Sequence, residues 1–252
     1  MARKPLIAGN WKMYKTQAEV TATIDALRKE VDQYEKVEVV VCPTFTSLAA
    51  ASQALEGSTI GLGAQDLFWE DEGAYTGEIS AGMLLDVGCK FVIIGHSERR
   101  QYFGETNETV NRKLKKALTT SLTPILCIGE TLEERESGRV SEVVLGQLEA
   151  ALAGLTVGDI SRMIIAYEPV WAIGTGKTAT PETAEDVHAM IRNRLKETYS
   201  AELSDDLRIL YGGSVKPGNT AELMAQPDID GGLVGGASLD AESFAQIVKY
   251  SD

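Results

Sequence analysis

Short apolar runs rich in β-branched residues alternate with amphipathic stretches along the whole chain. Eight of these runs have the composition of β-strands, and several are continuously apolar rather than alternating. Continuous apolarity is typical of parallel strands that are buried on both faces. The predicted strands occupy residues 5–11, 37–42, 58–64, 90–95, 122–129, 162–168, 207–213 and 229–236.

Signals for helix starts fill the intervals between the predicted strands. Thr16 is followed three residues later by Glu19, and Thr131 by Glu134, so each pair predicts a capping box. Residues 180–182 supply a cap, a first-turn proline and an early acidic residue. Behind them, apolar residues at spacings of three and four predict one buried helix face: Ala184, Val187, Ile191 and Leu195.

Strand–helix alternation of this kind favours a parallel sheet, because parallel neighbours need crossover connections. Eight such units within 252 residues predict a closed (β/α)8 barrel, with eight parallel strands ringed by helices. We expect residues 1–252 to form a single domain, since no linker or low-complexity segment divides them. An open doubly wound sheet is the alternative that the same pattern permits.

The acidic composition argues against nucleic-acid binding. With 24 Lys and Arg against 37 Asp and Glu, the formal net charge is −13, and no basic cluster suited to nucleic-acid phosphates dominates the sequence. A small anionic substrate requires a locally positive pocket. The N-terminal residues lack the apolar stretch of a signal peptide, and no long apolar run follows. We therefore expect a cytoplasmic protein with no membrane partner.

The three cysteines are Cys42, Cys89 and Cys127, which are far apart in the sequence. They form no Cys-x-x-Cys pair, so the sequence indicates neither a disulfide framework nor a zinc site. We expect buried, neutral thiols in a reducing compartment.

Polar or glycine residues follow five of the predicted strands. Residues 10–12 (NWK) end strand 1, residues 96–98 (HSE) follow strand 4, and Glu168 ends strand 6. Residues 212–214 (GGS) follow strand 7, and residues 235–236 (GG) follow strand 8. In a (β/α)8 barrel these positions meet on one rim, where active sites lie. Their convergence predicts a functional site more strongly than any single residue does.

Two residues of this rim suit acid–base chemistry. Glu168 follows an apolar run, and apolar surroundings make a carboxylate a better base near neutrality. His96 precedes what reads as the first turn of a helix, whose N–H groups would favour a neutral imidazole. A structural ion pair for Glu168 and a structural hydrogen bond for His96 are the alternatives. The other histidine, His188, is predicted to be a surface or packing residue of an amphipathic helix.

Lys12 and the glycines suit anion binding. Lys12 provides a fixed positive charge at the rim, although a lysine in this position is ordinarily solvated. Ser214 and the glycine pair Gly235 and Gly236 follow strands 7 and 8, where barrels of this class hold phosphates. Glycines let backbone amides approach an anion closely. Ordinary turns are the alternative for such glycines.

The connection over residues 65–78 is long and has no helical period. It carries Phe68, Trp69 and Tyr75. Long loops in compact domains are usually functional or form contacts, and aromatic side chains favour an interface. The residues alone leave open whether these rings meet a partner or cover the protein's own core.

Six fragments spread over nearly the whole chain resemble signatures of the triosephosphate isomerase family, in the same order. They are AGNWKM at 8–13, IGHSERR at 94–100, CIGE at 127–130, AYEPVWAIGTGKTAT at 166–180, YGGSV at 211–215 and GLVGGASL at 232–239. The resemblance implies a TIM barrel that needs no cofactor or metal. It also implies the interconversion of dihydroxyacetone phosphate and glyceraldehyde 3-phosphate, a step of glycolysis and gluconeogenesis.

The same resemblance implies a role for each rim residue. Glu168 resembles the base that moves a proton between two substrate carbons, and His96 the neutral electrophile. Lys12 and Asn10 resemble the groups that anchor the substrate and stabilise the enediolate, and Glu98 resembles the carboxylate that positions Lys12. The implied substrate-binding set is Asn10, Trp11, Lys12, Gly174, Ser214, Gly235 and Gly236.

The resemblance further implies a lid over residues 169–179 and a homodimer formed through the 65–78 loop, with Thr76 reaching the neighbour's Lys12. Two other functions remain as alternatives. One is another phosphate-binding barrel, an isomerase or epimerase of a sugar phosphate; such epimerases usually call for metal ligands. The other is a non-catalytic binding scaffold, which has no reason to keep a full set of catalytic groups together.

Overall fold

A computed structural model describes residues 3–173 and 178–252. Eight parallel strands form a closed barrel in chain order, and β8 pairs with β1 to complete it. The strands are β1 Leu6–Asn10, β2 Glu38–Cys42, β3 Gly61–Ala64, β4 Phe91–Ile94, β5 Thr123–Ile128, β6 Ile164–Tyr167, β7 Ile209–Tyr211 and β8 Gly231–Val234. Each lies within a predicted run. The (β/α)8 barrel is confirmed, and the open sheet is excluded.

Helices connect successive strands on the outside of the barrel. They are α1 Gln17–Val31, α2 Leu48–Ala54, α3 Ala81–Asp86, α4 Ser97–Phe103, α5 Asn107–Leu118, α6 Leu132–Glu136, α7 Val140–Leu152, α8 Val157–Ile160, α9 Pro181–Thr198, α10 Ala201–Asp206, α11 Pro217–Met224 and α12 Ala241–Val248. Across the described ranges, no helix combines the length and apolarity that a membrane crossing requires.

The predicted helix starts are present. The backbone N–H of Thr16 donates to the Glu19 carboxylate at 2.7 Å, before α1. At α6, the Thr131 N–H donates to Glu134 at 2.8 Å, and the Glu134 N–H donates back to the Thr131 hydroxyl at 3.3 Å. These contacts satisfy backbone donors that a helix start leaves without intrahelical partners. Helix α9 begins at Pro181, as its signals predict.

The apolar core has two layers, because successive strand residues point alternately inward and outward. One set fills the barrel lumen: Leu6, Ala8, Val40, Cys42, Phe91, Ile93, Ile125, Cys127, Ile164, Ala166, Leu210 and Leu233. The larger set lies between the strands and the surrounding helices. The predicted inner face of α9 belongs to it and is buried: Ala184, Val187, Ile191 and Leu195.

The two glycines of β3 leave room for large side chains in the barrel lumen. A Cβ placed on Gly61 would lie 2.9 Å from the ring of Phe91, and one on Gly63 would lie 2.6 Å from the Cys42 sulfur. Both distances are too short for real contacts, so this strand keeps glycine beside the large Phe91 side chain. The lumen is thereby packed rather than open, and the predicted rim residues lie at its carboxyl end.

All three cysteines are buried and free of disulfides, as expected. Burial raises the pKa of the Cys89 thiol to about 12. It also raises the pKa of Cys127 well above the ordinary value. These thiols are therefore neutral at physiological pH.

Candidate active site

A cavity of about 520 Å³ opens at the carboxyl ends of the strands. Its wall includes eight of the predicted site residues: Asn10, Lys12, His96, Glu98, Glu168, Ser214, Gly235 and Gly236. They come from the ends of β1, β4, β6, β7 and β8. The structure therefore brings together side chains that are more than 200 residues apart in the sequence.

One described residue of the predicted substrate-binding set, Trp11, does not line this cavity. The Trp11 side chain is fully buried in the outer core layer, where the Lys15 ammonium lies 5.7 Å from its ring centroid. Gly174 lies outside the described residues, as does the rest of the segment 174–177. No group of three or more His, Cys, Asp or Glu that could hold a metal ion occurs in the described parts of the chain.

Glu168 and His96 contact each other directly. The carboxylate oxygen Oε1 of Glu168 lies 2.9 Å from Nε2 of His96. The other oxygen, Oε2, accepts a hydrogen bond from the backbone N–H of Ser97 at 2.9 Å. Both side chains are buried, with 2% of Glu168 and 6% of His96 exposed. The carboxylate is thus oriented at both oxygens.

The protonation of His96 follows from its position as the cap of α4. The Nδ1 atom accepts the backbone N–H of Glu98 at 3.2 Å, so it carries no proton in this arrangement. The ring proton then lies on Nε2, where it is donated to Glu168. This geometry fits the expected neutral imidazole, held by the first turn of a helix.

Burial and charge act in opposite directions on this pair. Burial disfavours a charged Glu168, but His96 and the Ser97 N–H outweigh it and lower the pKa of the carboxyl below its ordinary value. The apolar run before Glu168 had suggested a raised pKa instead. That expectation was wrong because His96 and Ser97, which lower the pKa, follow a strand that is distant in the sequence. Burial likewise disfavours a charged His96, while the facing carboxylate raises the pKa of the ring. We assign the neutral ring, because protonation at Nδ1 would break the bond from Glu98.

Glycines on both neighbouring strands fix the backbone of Glu168. The Glu168 N–H donates to the carbonyl of Ile128 at 2.8 Å, and the Gly212 N–H donates to Tyr167 at 2.7 Å. A Cβ on Gly129 would lie 1.7 Å from the Glu168 carbonyl oxygen, and one on Gly212 would lie 2.8 Å from Glu168 Cγ. Only glycine fits at either position.

Lys12 is held at both its backbone and its ammonium. Its φ of +50° lies in the left-handed region, which is uncommon for residues with a side chain. Its N–H donates to the Asn10 side chain at 3.1 Å, and its carbonyl accepts from Gln65 at 2.8 Å. The ammonium contacts Glu98 at 2.5 Å. The expected pairing of Lys12 with Glu98 is therefore present.

The Lys12 side chain also approaches the glycines after β8. A Cβ placed on Gly235 would lie 3.5 Å from Lys12 Cε and 3.9 Å from its Nζ. A short 3₁₀ helix begins at Gly236 directly beyond. Ser214, which follows the two glycines after β7, lines the same cavity. Backbone amides and a positive charge thus meet at one side of an otherwise acidic protein.

Comparison with known proteins agrees with this geometry. A sequence profile of the triosephosphate isomerase family matches residues 5–251. The chain belongs to the triosephosphate isomerase family. Triosephosphate isomerase of Moorella thermoacetica is 60% identical over 248 residues, which cover 98% of this chain and 99% of the relative. Those of Pelobacter propionicus and Geobacter metallireducens are 59% and 58% identical with the same coverage.

Glu130 is a buried carboxylate that the sequence did not single out. It is fully buried after β5, and its Oε1 accepts from Tyr167 at 3.0 Å, Trp171 at 2.9 Å and Arg135 at 2.7 Å. Trp171 belongs to the segment that the family resemblance implies as the start of the lid. A carboxylate directly after a predicted strand was the available signal, the same one that marked Glu168.

His188 is buried rather than exposed. Its ring lies between two tyrosines that end strands, with centroids 5.7 Å from Tyr167 and 6.4 Å from Tyr211. Burial lowers the pKa of His188 to about 3, so the ring is neutral. The structure therefore selects the packing role from the two that the sequence left open.

Proposed function

We propose that this protein interconverts dihydroxyacetone phosphate and D-glyceraldehyde 3-phosphate through an enediolate intermediate, as a step of glycolysis and gluconeogenesis. The observation that carries the proposal is the contact between the Glu168 carboxylate and the neutral His96 ring, 2.9 Å apart, beside the ammonium of Lys12. This arrangement provides a base, a hydrogen-bond donor and a positive charge within one cavity.

Glu168 acts as the base. Its carboxylate removes a proton from the carbon next to the substrate carbonyl and returns it to the neighbouring carbon. The bond between Glu168 and His96 must open as the substrate enters, because both groups then bind the substrate instead of each other. The released Nε2–H of His96 donates to the substrate oxygens and moves protons between them. Membership of the isomerase family supports these roles.

Lys12 and the glycines bind the anionic parts of the substrate. The Lys12 ammonium offsets the negative charge that develops on the enediolate, and Asn10 fixes its backbone. The phosphate is held by backbone amides at Ser214, Gly235 and Gly236, since glycine leaves these amides accessible. Gly174, in the undescribed segment, is proposed as a further phosphate contact.

The family resemblance implies a lid over residues 169–179 that closes over the bound substrate, and residues 174–177 of this segment lie outside the described residues. Exclusion of water protects an enediolate from losing phosphate, and it strengthens the electrostatic contacts in the cavity. The indole N–H of Trp171 anchors the start of this segment to Glu130 at 2.9 Å. Such an anchor gives the segment a fixed point about which to move.

A coupled assay tests the proposed reaction. Purified protein without added metal is mixed with dihydroxyacetone phosphate, and glyceraldehyde 3-phosphate is followed through a dehydrogenase that reduces NAD. We expect turnover that is unaffected by a chelator. Complete inhibition by the chelator would instead favour the alternative, a metal-dependent epimerase of a sugar phosphate, and would count against this assignment.

We also propose a homodimer formed through the 65–78 loop, with Thr76 reaching the partner's cavity. The loop rings pack against one another in tilted pairs, with centroids 4.1 Å apart for Phe68 and Trp69 and 4.7 Å apart for Phe68 and Tyr75. Large apolar side chains are also exposed elsewhere in the described part of the chain: Met13, Tyr14, Phe45, Met83, Tyr102 and Phe103. An exposed apolar surface of this kind favours a protein partner.

Removing the tip of this loop should separate the subunits. We expect a chain with residues 68–77 replaced by a short glycine linker to sediment as a monomer with weak activity, because the replacement removes the three rings and Thr76, which in the proposed dimer reaches the partner's cavity. Sedimentation velocity at several concentrations checks the mass. An unchanged dimer in the shortened variant would contradict the proposed interface.

One domain over residues 1–252 and a cytoplasmic location complete the proposal. The closed barrel, whose first and last strands pair with each other, supports the single domain. The neutral buried cysteines are compatible with a reducing compartment.

A further inference from the structure

A second cavity, of about 470 Å³, lies between the ends of β4, β5 and β6, on the other side of Glu168 from the substrate cavity. Its wall includes the backbone of Gly129, the base Glu168 and the side chain of Gln147 from α7. Empty space at this point leaves the backbone that carries the base without close packing on one side. Hydrogen bonds must therefore hold that backbone in place on this side.

Gln147 makes two hydrogen bonds to a single residue. Its Oε1 accepts the backbone N–H of Gly129 at 2.8 Å, and its Nε2 donates to the carbonyl of Gly129 at 3.1 Å. The side-chain amide thus pairs with both polar backbone groups of Gly129, in the way that a neighbouring strand would. Two bonds fix the orientation of the glycine as well as its position.

Gly129 is in turn the residue against which Glu168 packs. A Cβ on Gly129 would lie 1.7 Å from the carbonyl oxygen and 3.2 Å from the Cα of Glu168. The next pairs along the two strand ends are also bonded, Glu168 N–H to Ile128 at 2.8 Å and Val170 N–H to Glu130 at 3.0 Å. A displacement of Gly129 therefore moves the backbone of the base.

We propose that Gln147 is a positioning residue for the base: its amide clamps Gly129 to α7 and thereby holds the Glu168 carboxylate in register with Ser97 and His96. The inference rests on the proposed role of Glu168. Gln147 does not line the substrate cavity, and its two hydrogen bonds go to Gly129 rather than to Glu168, so its effect passes through the backbone of Gly129.

The proposal predicts a selective defect in Gln147→Leu, which keeps the approximate volume and removes both bonds. We expect kcat to fall about ten-fold, with KM changed by less than about two-fold, because a misplacement of about 1 Å at the reacting groups can cost up to about 100-fold. A carboxylate that loses the Ser97 N–H also loses a contact that lowers its pKa. The acid limb of the kcat/KM profile should therefore move to higher pH.

Two further variants make the test specific. Gln101→Leu is the matched control, because Gln101 is an exposed glutamine on α4 that lines the same cavity without contacting Gly129; it should keep the wild-type kcat and pH profile. Gln147→Glu keeps an acceptor for the Gly129 N–H, and we expect its kcat to lie between those of wild type and Gln147→Leu. It also carries the test if the leucine variant does not fold.

The outcomes separate the clamp from the proposed reaction. A folded Gln147→Leu protein with the kcat and pH profile of the wild type would overturn the clamp while leaving the isomerase function intact. A lowered melting temperature with unchanged kcat would also overturn it, because that result describes a purely structural glutamine. Absence of isomerase activity in the wild-type protein would refute the proposed function itself.

Discussion

Glu168→Gln should lower kcat by about 10²- to 10⁴-fold without unfolding the protein, because general-base catalysis contributes about that much. The amide has nearly the same shape as the carboxylate and still accepts the Ser97 N–H, which Glu168 receives at 2.9 Å. It cannot take up a proton from carbon at neutral pH. The coupled assay gives kcat, and circular dichroism checks the fold.

Glu222→Gln provides the matched control for this result. Glu222 is an exposed glutamate on α11, away from the cavity wall, so the same chemical change should leave kcat as it is. A Glu168→Gln enzyme with a kcat within about ten-fold of the wild type would remove Glu168 from the role of base. Another group of the rim would then have to carry the proton transfer.

The barrel and its rim could be predicted from the sequence because each depends on local pattern. A continuous apolar run such as residues 91–94, rich in β-branched residues and followed by a glycine, is typical of a buried parallel strand. Once eight such runs close into a barrel, topology alone carries Asn10, His96 and Glu168 to the same end. No side-chain geometry is needed for that inference.

The protonation and the hydrogen bonds of the site could not be predicted in the same way, because they depend on contacts between residues that are distant in the sequence. The pKa of Glu168 is lowered by His96 and by the Ser97 N–H, and neither is visible in the apolar run that precedes the glutamate. The clamp of Gln147 on Gly129 requires the exact facing of α7 and β5. In the sequence, a glutamine of a helix that bonds a neighbouring backbone looks the same as a glutamine that faces solvent.

A buried ionic cluster supports the base of the 65–78 loop. Removing its lysine, Lys113, should strongly lower the stability of the fold. The Lys113 ammonium contacts Asp66 at 2.6 and 2.8 Å and also contacts Glu105, and Arg99 pairs with the same two carboxylates. Lys113→Met leaves two buried carboxylates with one cation. We expect the free energy of unfolding to fall by about 3–5 kcal/mol, as when one partner of a buried ion pair is removed.

The pH dependence of this loss distinguishes charge from packing. Burial already raises the pKa of Asp66 to about 6, and removal of Lys113 raises it further because the nearest cation is lost. A carboxyl whose pKa is higher in the folded than in the unfolded state stabilises the fold at low pH, and this stabilisation is lost as the pH rises through the folded pKa. Lys113→Met should therefore be less destabilising at pH 5 than at pH 8.

Urea unfolding at both pH values and one fixed protein concentration measures the effect, because the stability of the proposed dimer would depend on concentration. Lys115→Met, an exposed lysine on the same helix α5, is the control and should change the free energy of unfolding by less than about 0.5 kcal/mol. Equal stabilities for the two variants would mean that the ions of the cluster are hydrated in solution. A loss that does not depend on pH would instead assign the effect to the packing of the Lys113 side chain.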